Sequence, residues 1–433
     1  MKPTLHLRQQ TIYQVFVRNH TKEGTFQALQ KDLPRIQDLG VTILYLLPIH
    51  PIGVLARKGQ VGSPYAIQDY DVVDPNLGTE ADLKALIQEA HRLGLKVMMD
   101  IVFNHTARDA KWVKQHPEYY YYRDGKLANR VGDWSDVADL DLTKPEVRSA
   151  LIQILKKWTA FGFDGFRCDV APLLPLDFWQ TAKQEIQLMN PNMIWFSESV
   201  HPSFIQYLRG EGYRAHSDAE MYQVFDILYD YDVHKFFEDY LLNRGSLAAY
   251  LQMVQAQGYL YPQHYVKAHF LENHDQPRIH KLVPSTSILM NLTTWSFFQH
   301  GIGFIYAGQE TLQTHVPSLF EKEPIDLTIQ NKAFYEFIKR LIALKKLPYF
   351  AEARKFIVNE HPLQAHMIEA RLFTPTVQLV GLFNLVKDAR QFHIDLPNGD
   401  YLDLVTETKV KIHQGIIHTQ GPLILVVPSK KLV

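Results

Sequence analysis

Four acidic residues stand where carboxylates do chemistry: Asp100, Asp169, Glu198 and Asp275. Each ends, or lies just past, a short apolar run that reads as a strand. Arg167 and Asp169 are two apart on one such run, so their side chains share a face. A guanidinium beside Asp169 would favour its ionised form and lower its pKa, which suits a nucleophile. Glu198 follows Trp195-Phe196-Ser197, and apolar surroundings with nearby carboxylates would raise its pKa, which suits a general acid. Two carboxyl groups flanking a glycosidic bond are the minimum apparatus for cleaving it, and retention of configuration predicts a separation of about 5–5.5 Å. Asp275 would then stabilise an oxocarbenium-like transition state. His105 and His274 accompany the acids. A metal site is one reading of them, but there is no compact zinc spacing and no cysteine pair, so imidazoles bonding to sugar hydroxyls fit better. Cys168, between Arg167 and Asp169, should point the other way as a buried packing residue. A lone Asp at a strand end is ordinarily a turn or capping residue, and four at matching places resist that account.

These residues need a frame that brings strand ends together. Strand patterns fall at 11–17, 41–47, 95–99, 162–166, 193–196, 222–228, 266–271 and 304–307. Helical patterns fall between most of them, as at 25–39, 79–93 and 145–161. Thr79 with Asp82 resembles a cap, and Gly94 ends the second of these helices. Strand–helix alternation implies parallel pairing, and eight repeats imply a closed barrel whose chemistry lies at the C-terminal strand ends. The fold expected is therefore a TIM (β/α)8 barrel. Two regions break the rhythm. Residues 105–142 lack helical period and read as a small inserted domain after the third strand, in which Tyr119–Tyr122 reads as strand, with a sugar platform as the alternative. After about residue 347 the pattern becomes two-residue alternation, the sign of a C-terminal antiparallel β-sandwich. The expected division is 1–104 with 143–347 for the barrel, 105–142 for the insertion and 348–433 for the sandwich.

Composition bounds the function. The 433 residues are 46% hydrophobic and 21% charged, with 45 basic against 46 acidic side chains. That describes a globular protein with a sizeable core and argues against nucleic-acid or membrane-surface partners. The single cysteine excludes an internal disulfide. Residues 1–10 lack the apolar segment of a secretory signal, and no run approaches the roughly 18 apolar residues of a membrane span. A cytoplasmic location is expected.

The same segments resemble the α-amylase superfamily, glycoside hydrolase family 13. Asp100-Ile-Val-Phe-Asn104-His105 is similar to its first region and Gly165-Phe-Arg167-Cys-Asp169-Val-Ala171 to its second. Trp195-Phe-Ser-Glu198 and Phe270-Leu-Glu-Asn273-His274-Asp275 are similar to its third and fourth. Gly62-Ser-Pro-Tyr65, Asp139-Leu-Asp141 and the segment from Gly301 to Glu310 support the match. The resemblance implies Asp169 as nucleophile, Glu198 as acid/base and Asp275 as transition-state stabiliser. It implies substrate binding by Tyr65, Arg167, His105 and His274, with Asp100 and Asn104 supporting the site. Many family members bind a structural calcium through an Asn of the first region and a His soon after the nucleophile. Asn104 is present, but Leu173 stands at the later position, so no cofactor is required and calcium is left open.

Hydrolysis of α-1,4 bonds in maltooligosaccharides or α-glucans is the reading these features favour. Val170, and the stretch from Asn273 to Arg278, also resemble members acting on α-1,6 bonds, cyclomaltodextrinase and neopullulanase types, and α-glucosidases. An α-1,6-glucosidase or a glycosyl-transferring enzyme is therefore the alternative, with a non-catalytic glucan-binding protein behind it. Arg278 reads equally as a contact to the terminal sugar or as a surface ion pair.

Overall fold

The computed structural model describes residues 3–131, 133–388, 390–419 and 421–428. Met1, Lys2, Gly132, Ala389, Gln420 and the last five residues, which the expected divisions include, lie outside these. Eight parallel strands close a barrel: β1 Thr11–Val15, β2 Ile43–Leu46, β3 Lys96–Ile101, β4 Gly165–Cys168, β5 Ile194–Ser197, β6 Ile227–Tyr229, β7 Lys267–His269 and β8 Gly301–Tyr306. The barrel expected from the alternation is the one observed.

The chain divides into two compact units, 12–229 with 316–327, and 1–11 with 230–315 and 328–433. In the first unit the register is continuous from β1 to β6. Leu46 pairs with Met99, Asp100 with Arg167, and Arg167 with Phe196. The helices form where the sequence signals them. Phe26–Asp38 buries Phe26, Leu29, Leu33 and Ile36, and the Thr25 hydroxyl caps its first turn by accepting from the Ala28 N–H. In Glu80–Arg92, Thr79 and Asp82 form a reciprocal capping box. Pro145–Phe161 starts on proline and stops at Gly162, whose φ of +121° suits only glycine. That stop moves the start of β4 to Gly165, three residues later than the pattern predicts. The strand expected from Tyr222 likewise begins at Ile227, because Ser217 and Glu220 cap a short helix, Asp218–Met221, that takes up the preceding residues.

The insertion is built from two short ribbons. His105–Ala107 pairs antiparallel with Val137–Asp139, His105 opposite Asp139. Tyr122–Arg123 pairs with Lys126–Leu127 around Asp124-Gly125, both at positive φ, as a two-residue hairpin requires. Of the Tyr119–Tyr122 run, only Tyr122 is strand, and Tyr119 ends a 3-10 turn.

In the second unit β7 pairs with β8. The C-terminal strands are β9 Lys355–Glu360, β10 Met367–Phe373, β11 Val377–Asn384, β12 Arg390–His393, β13 Gly399–Asp403, β14 Thr408–Ile412, β15 Ile416–Thr419 and β16 Leu423–Pro428. They form an antiparallel sheet in the order β9-β10-β11-β16-β13-β14 and a separate β12–β15 pair. Met367, Val380, Leu382, Phe392, Ile412, Ile417 and Leu425 fill the core there. Among the described residues no helix is long and apolar enough to cross a membrane.

Candidate active site

In the first unit the acids at the ends of β3, β4 and β5 converge on one guanidinium. Arg167 is 1% exposed. Its Nη1 donates to Asp100 Oδ1 at 2.8 Å, Asp100 Oδ2 at 3.0 Å and Asp169 Oδ1 at 2.9 Å, and its Nη2 lies 3.0 Å from Glu198 Oε2. The strands position the pair directly. The Asp169 N–H donates to the Ile101 carbonyl and the Glu198 N–H to the Cys168 carbonyl, so each acid is the residue on which its strand's pairing ends. Cys168, pointing opposite, is fully buried, and burial pushes its thiol well up. It is the packing residue the alternation implies.

Val170 follows Asp169 in a left-handed conformation, φ +34° and ψ +41°. For a β-branched residue this costs roughly 1–3 kcal/mol. The turn aims the Val170 N–H at Glu198 Oε2, 2.7 Å away. One oxygen of each acid is thereby fixed.

Burial pushes the Asp169 carboxyl well above the usual range, and the charge of Glu198 adds to this. Arg167 opposes the shift, while Asp100 and a hydrogen bond with Glu198 reinforce it. The sequence expectation that Arg167 holds Asp169 low is corrected. One guanidinium faces two buried carboxylates and the part-buried Glu198, and desolvation outweighs it.

Asp100, expected to support the site, lies behind Arg167. It is 0% exposed, and besides Arg167 it accepts from Tyr45 Oη at 2.7 Å and Tyr65 Oη at 2.9 Å. It orients Arg167 and Tyr65 from behind. The half-buried Tyr65 ring lies 5.7 Å from the Arg167 guanidinium carbon, and the Tyr229 ring 5.9 Å. Sequence reading missed Tyr45 and Tyr229, because neither strand residue carries a signal apart from ordinary aromatic core.

His105 bonds to the Tyr65 backbone and packs edge-on against Trp134, with ring centroids 5.4 Å apart. Burial lowers its pKa to about 4, so it is a neutral imidazole at neutral pH. Asn104, also expected to support the site, is buried. Its Nδ2 lies 3.1 Å from His105 Nδ1 and 3.4 Å from Asp139 Oδ1. Asp139 in turn accepts from the Arg130 backbone N–H at 2.9 Å and from Arg130 Nη1 at 3.0 Å.

These residues do not fit a calcium cage, which takes six to eight oxygens. Leu173 offers no side-chain oxygen, the Asn104 amide nitrogen faces the carboxylate, and the carboxylate is held by Arg130. Among the described residues no group of three or more His, Cys, Asp or Glu is arranged to hold a metal ion.

In the second unit Asp275 lies in the turn after β7. Its backbone N–H donates to Asn273 Oδ1 at 2.9 Å, and Asn273 Nδ2 donates to Tyr231 Oη at 2.9 Å. His274 Nε2 stands 3.1 Å from Asp275 Oδ2. Arg278 is neither of the things the sequence suggested. It is 0% exposed, so it makes no surface ion pair and presents no atom to a terminal sugar. Its Nη1 donates to Glu272 Oε1 at 2.7 Å, its Nη2 to the Ala307 carbonyl at 2.9 Å and its Nε to the His315 carbonyl at 3.1 Å. Glu272 Oε2 accepts the Ile279 N–H at 2.7 Å. This buried pair closes the turn carrying His274 and Asp275 and ties it to the segment after β8.

A (β/α)8 barrel with paired carboxylates at adjacent strand ends defines a class, the carboxylate glycosidase-like barrels. Sequence comparison narrows it. The alpha amylase catalytic domain matches residues 12–136 and 130–346, and the bacterial alpha amylase C-terminal domain matches 361–425. The chain belongs to the alpha-amylase family. Among solved structures it is similar to an alpha-amylase from Lactobacillus plantarum, with 41% identity, 98% of this chain and 99% of that one covered, and a TM-score of 0.93. It is also similar to the noncanonic maltogenic alpha-amylase AmyB from Thermotoga neapolitana, with 31% identity, 98% and 100% covered, and a TM-score of 0.86. A curated relative, the alpha-1,4-glucan:maltose-1-phosphate maltosyltransferase of Arcanobacterium haemolyticum, is 32% identical over 212 residues. That stretch is 44% of this chain and 30% of the relative's length.

Proposed function

We propose that the protein is a retaining glycoside hydrolase that cleaves α-1,4-glucosidic bonds in maltooligosaccharides or α-glucans. The observation that carries this is the Arg167 guanidinium bridging Asp169 and Glu198 at adjacent strand ends. Asp169 Oδ2 attacks the anomeric carbon while Glu198 protonates the glycosidic oxygen, whose bond to that carbon breaks. A glycosyl ester forms on Asp169. Glu198, now ionised, takes a proton from water, which displaces Asp169 from the opposite face and leaves the original configuration. Asp275 stabilises the oxocarbenium-like transition states. The neutral His105, together with His274, holds sugar hydroxyls, and Tyr65 stacks on the ring they grip.

A second reading has a specific observation behind it. The curated relative named above is a maltosyltransferase by name. Transfer shares every step to the glycosyl ester and differs only in passing it to a sugar hydroxyl instead of water. Product analysis on maltotetraose, soluble starch and panose separates these readings. Breakdown of maltotetraose and starch with panose slow is the expected result. Preferential cleavage of panose at its α-1,6 bond contradicts α-1,4 specificity, and oligosaccharides longer than the substrate establish transfer.

A further inference from the structure

We infer that Arg130 is a built-in cation, doing for the buried Asp139 carboxylate what a bound divalent ion would do, so that the insertion is anchored without calcium. Asp139 is 1% exposed and sits on the ribbon opposite His105, where an uncompensated carboxylate would be costly. Arg130 meets it twice on one oxygen, through its backbone N–H and through Nη1. The same Nη1 reaches toward the Leu140 carbonyl at 3.5 Å, a position an oxygen-seeking cation would share. The Arg130 guanidinium carbon lies 4.5 Å from the centroid of the Tyr121 ring, whose face gives a cation further stabilisation.

The other oxygen of Asp139 takes the Asn104 amide, and Asn104 reaches His105. The Asn104 carbonyl accepts the Leu140 N–H, and the Asp139 N–H donates to the Ala128 carbonyl. Arg130 thus stands at the root of a chain that runs through Asp139 and Asn104 to the His105 imidazole. Beside Arg130, Asn129 Nδ2 donates to the Val131 and Trp134 carbonyls. With the Arg130 charge paired to it, the Asp139 carboxylate offers no unpaired negative charge to a second cation.

The inference concerns the anchoring of the insertion and stands whatever the reaction proves to be. It is tested by thermal unfolding of the full chain, with and without chelator, followed by excess calcium chloride. The wild type should melt at the same temperature in all three conditions. A fall in chelator that calcium restores would overturn the inference. Arg130→Gln should melt several degrees lower, since it strands the carboxylate. Adding Asp139→Asn should restore most of the loss, because the neutral pair needs no counter-charge. A simple packing role for Arg130 predicts no such rescue, so additive losses in the double variant would also overturn the inference. Arg130→Lys, which keeps the charge but not the fork, should fall between wild type and Arg130→Gln.

Discussion

At the residue scale, one guanidinium among three carboxylates fixes the geometry and cannot neutralise the set. Asp169→Asn and Glu198→Gln should each reduce turnover of every α-glucan by several orders of magnitude, with folding unchanged by circular dichroism. Near-normal turnover in either variant would remove the pair from the chemistry. Because burial and Glu198 raise Asp169, its ionised form is lost as pH falls through a value well above the ordinary carboxylate range. The acidic limb of kcat/KM should therefore lie well above that range, and a limb near pH 4 would contradict the burial argument. Sequence showed which residues meet but not the sign of this shift. Arg167 beside Asp169 is visible in a string of letters, whereas desolvation and the approach of Glu198 from another strand are not. Arg278 was misjudged for the same reason, since neither the depth of Glu272 nor the carbonyls of Ala307 and His315 are written in the local sequence.

At the scale of elements, strands ending in acids and helices with explicit caps made the barrel legible. The late starts of β4 and β6 were less so, because a helix-terminating glycine and a Ser–Glu cap decide them locally. Two elements carry predictions. His50 follows β2, with its Nδ1 2.9 Å from the Val72 carbonyl and its ring against Trp158, and burial lowers its pKa to about 4. The unfolded chain binds this proton near pH 6.5 and the folded chain does not, so stability falls as pH drops from about 6.5 to 4. The shift corresponds to at most about 3 kcal/mol. Denaturant titrations across that window should show a shallower slope for His50→Gln than for wild type, and equal slopes would exclude His50 as a source. The Glu272–Arg278 pair gives the second. Arg278→Met should destabilise by about 3–5 kcal/mol, because it leaves a buried carboxylate unpaired. Adding Glu272→Gln should recover much of that loss, which urea unfolding of the single and double variants will measure.

At the scale of the molecule, the near balance of 45 basic and 46 acidic residues predicts passage through immobilised heparin at moderate salt, and retention there would reveal a basic face that composition hides. The family was legible from four motifs in order, since their spacing along the chain matches the spacing of strand ends around a barrel. The anchoring of the insertion was not. Asp139 was visible as part of a supporting motif, but nothing in the sequence pairs it with Arg130, nine residues away across a loop.

The most direct test of the central claim is the anomeric form of the first product. Proton NMR during the earliest turnovers on maltotetraose, before mutarotation, should show the new reducing end as the α-anomer. That result is required if Asp169 and Glu198 act through a glycosyl ester. The β-anomer would mean a single displacement by water and would contradict the assignment of Asp169 as nucleophile.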